Sequence, residues 1–190
     1  MHYGMIKKMD VANGPGVRVT LFVSGCTHHC QECFQPETWD FNYGSLFTED
    51  TVQELLEALH PDYIKGLTLL GGEPFEPENQ KILLPFLKKV KETFPNKDVW
   101  CFTGYLFEEL SGWRESSTRA YCEYTEEMLS LIDILVDGEF QTEKKDIGLQ
   151  FRGSRNQRII DVSKSMAETN IVWWEHIKDR CFEAPEQRWR

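Results

Sequence analysis

The sequence predicts a single α/β domain built on parallel β-strands, and two observations carry the prediction. Four short apolar runs, over residues 17–23, 67–70, 99–102 and 132–136, are separated by longer stretches, two of which show apolar residues at helical spacing. Each run also ends in a polar or glycine-containing segment that holds the chain's least ordinary residues. Cys26 follows the first run, Gly71-Gly72-Glu73-Pro74 the second, Thr103-Gly104-Tyr105 the third and Asp137-Gly138 the fourth. Parallel strands joined by right-handed crossovers bring their carboxyl ends to one side, where such folds place ligands. The chain is therefore expected to carry one shared site at those ends.

The runs read as buried strands because they are continuously apolar rather than alternating. The stretches 51–59 and 80–94 read as helices, the first showing Val52, Leu55, Leu56 and Leu59 along one face. Thr48, followed by Glu49, Asp50 and Thr51, is a helix start, and Phe94-Pro95-Asn96 a stop before the third strand. Residues 111–127 are polar and read as a loop or irregular insertion. Residues 163–190 read as a separate tail with Trp173, Trp174 and Trp189. There is no internal repeat and no low-complexity segment.

At 190 residues, 41% of them hydrophobic, the chain suits one ordinary core. Its 21 Lys and Arg against 31 Asp and Glu give a formal charge of -10, which excludes the basic footprint of a protein that tracks a nucleic-acid backbone. Residues 1–10 hold two lysines and no apolar run, and no stretch approaches the roughly 20 apolar residues of a membrane span. A soluble, cytoplasmic protein is expected, with small-molecule or protein partners and neither nucleic acid nor membrane.

The six cysteines lie at 26, 30, 33, 101, 122 and 181, with three of them inside one short window. Without a secretion signal such density points to a metal or redox site rather than to disulfides. Cys26, Cys30 and Cys33 form C-x-x-x-C-x-x-C on a segment leaving a strand. Cubane clusters normally take four cysteines, so three would leave one iron open to a substrate. Zinc held by the triad with His28 or His29, and a plain redox thiol, remain as alternatives on the triad alone. Either histidine reads more simply as a surface or satisfied residue, and Cys101, Cys122 and Cys181 receive no function.

Taken together, the triad and Gly71-Gly72-Glu73-Pro74 resemble the radical S-adenosylmethionine superfamily. The likeness is closer to its anaerobic ribonucleoside-triphosphate reductase-activating proteins, and covers about residues 1–160. Its landmarks come in order: Asn13-Gly14-Pro15-Gly16 with Arg18, Leu21 to the triad, Thr38-Trp39, Trp100-Cys101-Phe102-Thr103-Gly104-Tyr105, Val136-Asp137-Gly138, and Arg152-Gly153-Ser154-Arg155-Asn156-Gln157-Arg158. There are two departures. Glu32 precedes the last triad cysteine where many superfamily members carry an aromatic beside the adenine, although Phe34 supplies one just after it. The 111–127 insertion and the segment after Asp161 have no counterpart in the pattern.

The resemblance implies a partial (β/α) barrel of parallel strands over residues 1–162, with 163–190 as a C-terminal extension. It implies a [4Fe-4S] cluster on Cys26, Cys30 and Cys33, and S-adenosyl-L-methionine as second cofactor. Gly71, Gly72 and Glu73 would contact the methionine part, and Glu32, Cys33 and Phe34 would line the adenosine. Thr103 and Asp137 would bond ribose or amino-acid groups, or else cap a strand or turn. Arg152 and Asn156 would meet the cofactor carboxylate or a partner's glycine loop, or else form a surface salt bridge. The implied activity is reductive cleavage of S-adenosylmethionine to a 5'-deoxyadenosyl radical that creates a glycyl radical on the reductase. The implied partners are that reductase and a one-electron donor such as reduced flavodoxin. An activase of formate-lyase type and a non-catalytic zinc module are the competing readings.

Overall fold

A computed structural model describes residues 1–113 and 118–179. Cys181, Trp189 and part of the 111–127 insertion lie outside the described residues. Seven strands form one sheet among them: β1 (His2–Asp10), β2 (Val17–Val23), β3 (Ser45–Leu46), β4 (Ile64–Gly71), β5 (Asp98–Phe102), β6 (Ile134–Asp137) and β7 (Arg158–Asp161), in the order β3-β1-β2-β4-β5-β6-β7. Five helices accompany them: α1 (Glu49–Leu59), α2 (Pro77–Thr93), α3 (Phe107–Leu110), α4 (Thr125–Ser130) and α5 (Val162–Glu168).

The expected parallel arrangement holds for β2, β4, β5 and β6, which pair parallel in that order. The sheet as a whole is mixed, because β1 runs antiparallel to β2 and β3, and β7 antiparallel to β6. The all-parallel expectation fails at the edges for a physical reason. The central strands have side chains buried on both faces and read as apolar runs, whereas β1 is mostly half-buried or exposed and carries Lys7 and Lys8.

Side chains alternate across each strand, so the sheet has two distinct faces. Val19, Leu21 and Val23 of β2, Leu67 and Leu69 of β4, Val99 and Cys101 of β5 and Leu135 of β6 are buried in the core that includes the helices. From α1 it takes Val52, Leu55, Leu56 and Leu59, and from α2 Leu83, Leu84, Phe86, Leu87 and Val90. The α1 start is capped reciprocally: the Thr51 amide donates to the Thr48 hydroxyl at 3.4 Å and the Thr48 amide to the Thr51 hydroxyl at 3.2 Å.

The described part of the insertion from residue 118 on is anchored to α2. Gln80 of α2 donates to the carbonyls of Phe75 and Ala120, each at 2.6 Å, and Thr125 donates to Gln80 at 2.8 Å. Such side-chain clamps satisfy buried backbone groups without leaving a periodic trace in the sequence. Residues 172–174 of the tail also pack onto the sheet. The amide of Asp161 donates to Val172 at 2.9 Å and that of Trp174 to Ile159 at 2.8 Å, so the segment after α5 pairs with β7.

The opposite sheet face is a second cluster of Trp100, Ile134, Val136 and Ile159, joined by Phe102, Phe151, Trp174 and Ile177. Arg18 closes one end of it. Its fully buried guanidinium bonds Thr68, the Leu67 carbonyl and Asp98, and lies 5.5 Å from the Trp100 ring. Among the described residues no helix is long and apolar enough to cross a membrane.

Candidate active site

The carboxyl ends of β2 and β4 are drawn together by backbone contacts that only glycine permits. Gly72 donates to the Val23 carbonyl at 2.7 Å and Glu73 to Gly25 at 2.8 Å. Gly71 has φ +108 and a Cβ there would lie 2.8 Å from the Phe22 backbone; one on Gly72 would lie 2.6 Å from the Gly25 carbonyl. The paired glycines, read from sequence as room for a ligand, thus first allow two strand ends to meet.

From that junction the triad loop sets out, turning through left-handed backbone at His29 and Glu32. Cys26, Cys30 and Cys33 are free, half-buried, and line one cavity of about 510 Å³. The expected residues that share this cavity are Phe34, Gly71, Gly72, Glu73, Thr103 and Arg152. Burial pushes the Cys26 thiol up to about 12, with the negative charge of Glu73 adding to it, against the amides of His28 and His29. Cys30 is raised chiefly by burial and then by Glu139. A bound cation reverses this balance, since thiolates are the ligand form.

The donor set fits a cubane cluster. Among the described residues three thiols line the cavity and no fourth does, Cys101 being sealed under the helices. A cluster on these three would keep one iron without a thiolate. A mononuclear zinc site would take His28 or His29 as its fourth donor, and His28 is engaged by Glu139 and Glu73. His29 instead stacks on Trp39 with ring centroids 4.6 Å apart.

His28 is a satisfied residue, as one of the two sequence readings had it, but a buried one at the centre of the site. Its Nδ1 lies 2.5 Å from Glu139 and its Nε2 3.1 Å from Glu73, and the ring packs on Tyr105 at 4.4 Å. Burial disfavours its charge, yet the two carboxylates prevail and push it up to about 9. Glu73 also accepts the amides of Phe75 and Gly104, each at 2.8 Å, so its carboxylate ties together the ends of β4 and β5 and the triad loop. Glu76 accepts the Thr27 amide at 2.8 Å, and Asn79 donates to the Ser24 and Glu73 carbonyls at 3.0 and 2.9 Å. Sequence reasoning missed the roles of His28, Glu76, Asn79 and Glu139, none of which carries a local signal.

Other expected residues are placed differently. Thr103 lines the cavity while its hydroxyl accepts the Tyr105 amide at 3.1 Å, the turn-capping role. Asp137 is fully buried off the cavity: it accepts the Phe107 amide at 2.8 Å and pairs with Arg158, which also forks onto Glu108 at 3.0 and 2.7 Å. Burial raises the Asp137 carboxyl, against the bonds from Arg158. Gly138 lines the cavity in its place. Glu32 is exposed, away from the lining, with Lys145 at 3.7 Å, whereas Phe34 stands largely exposed at the rim, 5.7 Å from Phe140. Asn156 donates to the Glu139 carbonyl at 2.7 Å and does not line the cavity.

A family model described as a 4Fe-4S single cluster domain matches residues 12–160. A protein of Haemophilus influenzae is 44% identical over 161 residues, covering 84% of this chain and 97% of its own. One from Enterobacteria phage T4 is 41% identical over 173 residues, with 91% of this chain and 98% of its own covered. One from Escherichia coli (strain K12) is 37% identical over 159 residues, with 83% and 96% covered. All three are named anaerobic ribonucleoside-triphosphate reductase-activating protein. The phage match covers enough of this chain to extend beyond Asp161, correcting the expectation that the segment there has no counterpart. With the triad, the glycine-laced strand ends and these matches in agreement, the chain belongs to the family of anaerobic ribonucleoside-triphosphate reductase-activating proteins.

Proposed function

We propose that this protein is a radical S-adenosylmethionine activase that generates a glycyl radical on an anaerobic ribonucleoside-triphosphate reductase. The observation that carries the reading is the convergence of Cys26, Cys30 and Cys33 with Gly71, Gly72 and Glu73 on one cavity. When bound, a [4Fe-4S] cluster supplies the electron that cleaves S-adenosylmethionine, and with it the radical that removes hydrogen from a glycine of the reductase.

The chain's own residues hold and shield. The three thiolates hold the cluster, and Glu73 and His28 keep the triad loop fixed against β4. Backbone at Gly71 and Gly72 receives the methionine part, and Phe34 borders the adenosine. Arg152, whose side chain is 4% exposed and whose Nε has no hydrogen-bond partner among the described residues, offers a donor to the carboxylate. Thr103, which lines the cavity, bonds the ligand through its hydroxyl. The hydrophobic lining from Leu70, Phe102 and Phe151 excludes water beside the reacting atoms.

The same reading includes a partial (β/α) barrel over residues 1–162, supported by the unreversed order β2-β4-β5-β6, with residues 163–190 as an extension. It also includes action in the cytoplasm, with a one-electron donor such as reduced flavodoxin. The names of the relatives favour the reductase over a formate-lyase partner. Incubating the anaerobically reconstituted protein with reductant, S-adenosylmethionine and either target, then recording electron paramagnetic resonance, tests it. A glycyl doublet on the reductase alone is expected; a doublet only on formate-lyase, or none on either, would overturn the assignment.

A further inference from the structure

Residues 145–154 leave and rejoin the body as a small hairpin. Lys145 and Ser154 form an antiparallel bridge and the Asp146 amide donates to the Gly153 carbonyl at 3.1 Å. Its outer part is a wall of the cavity, contributing Ile147, Leu149, Phe151 and Arg152. Phe151 has φ 55, a left-handed conformation that a bulky residue adopts only when its surroundings impose it.

The segment 171–179 packs against this hairpin. Trp173 bridges to Ile160 of β7, and the Trp174 ring packs edge-on against Trp100 at 5.0 Å and beside Phe151 at 6.2 Å. Farther on, the Lys178 amide donates to the Gln150 side chain at 2.7 Å, and the Gln150 amide to Asp179 at 2.6 Å. Asp179 also pairs with the Arg152 guanidinium; the side chains of this pair are 0% and 4% exposed. Arg152 adds a bond to the Gln157 carbonyl at 3.3 Å, and its Nε has no partner among the described residues.

We infer that the segment 171–179 is a strap that builds the cofactor cavity, with Asp179 as a positioning residue acting through Arg152. It holds the hairpin in its strained form and sets the guanidinium against the cavity, where the carboxylate of an amino-acid-bearing ligand is received. The strap rests on the reading of the cavity as the S-adenosylmethionine site. Its importance follows from burial: a guanidinium that loses the one carboxylate partner it has among the described residues cannot keep its place inside the protein without cost.

The test compares full-length wild type, Asp179→Asn and Asp179→Ala in two ways. Amide hydrogen exchange on the apoprotein reads the hairpin, and S-adenosylmethionine titrated into the cluster-loaded protein reads the cavity, followed by KM and kcat for deoxyadenosine release. We expect faster exchange over residues 147–153 with α2 unchanged, and affinity lowered on the order of tenfold, with KM raised and kcat nearly kept. Asn, which still accepts the Gln150 amide, should be the milder of the two. Wild-type exchange and affinity in both variants would overturn the strap, as would faster exchange with unchanged affinity. Tighter binding would show Asp179 competing with the ligand for Arg152, also overturning it. Wild type that itself binds no S-adenosylmethionine would overturn the reading of the cavity, a failure distinct from the others.

Discussion

His28 Nε2 lies 3.1 Å from the Glu73 carboxylate, joining the middle of the triad loop to the end of β4 across 45 positions of sequence. A histidine between two cysteines thus serves as a brace, with Glu139 bonded to its other nitrogen. The cost of removing it is set by what remains behind, a nearly buried Glu73 with one bond fewer.

His28→Ala is expected to destabilise the apoprotein by about 1–3 kcal/mol, the usual range for a buried group left unsatisfied. Iron and sulfide retained after anaerobic reconstitution should fall with it, because the triad loop loses its anchor. Urea denaturation and iron analysis check both. A wild-type midpoint together with full iron content would contradict the brace.

Gly71→Ala should cost more than a surface change, since alanine must take φ +108 with its Cβ 2.8 Å from the Phe22 backbone. Gly112→Ala is the control: its φ of +72 strains alanine as well, but the nearest atom is 3.5 Å away. A denaturant midpoint lowered clearly further by the first than by the second is expected, because only the first also separates β2 from β4.

Asp10 gives a pH dependence of stated sign. Burial acts to raise its carboxyl, but the Ala12 amide, the Asn13 side chain and the Thr20 hydroxyl prevail and hold it below the ordinary range. A carboxylate depressed in the folded state adds stability above its unfolded value of about 3.9, and that stability is lost as pH falls through the folded value. Wild type should therefore lose more stability than Asp10→Asn between about pH 5 and acid. Parallel acid titrations of the urea midpoint that keep a constant gap would contradict it.

The central strands were legible because each is buried on both faces and reads as an unbroken apolar run. β7 was not: four residues beginning with Arg158, at the end of an Arg-rich stretch, give no such run. That omission hid the partner of Asp137 as well; Asp137 itself caps the Phe107 amide, the second of its two sequence readings. The antiparallel register sets Asp137 beside Arg158, so the carboxylate that looks available at a strand end is already taken. The triad and Gly71-Gly72-Glu73 were legible because each is contiguous in sequence. The pairing of His28 with Glu139 spans 111 positions, and Asp179 reaches Arg152 across 27. Contacts of that kind depend on topology, and local spacing carries no mark of them.

The central claim is that Cys26, Cys30 and Cys33 hold a cluster whose open iron acts on S-adenosylmethionine. Anaerobic reconstitution, reduction and quantification of 5'-deoxyadenosine, with Cys30→Ala alongside, tests it most directly. The account predicts about four irons per chain and deoxyadenosine from wild type, with neither full iron nor product from the variant. One zinc per chain without sulfide, or equal product from the variant, would contradict it.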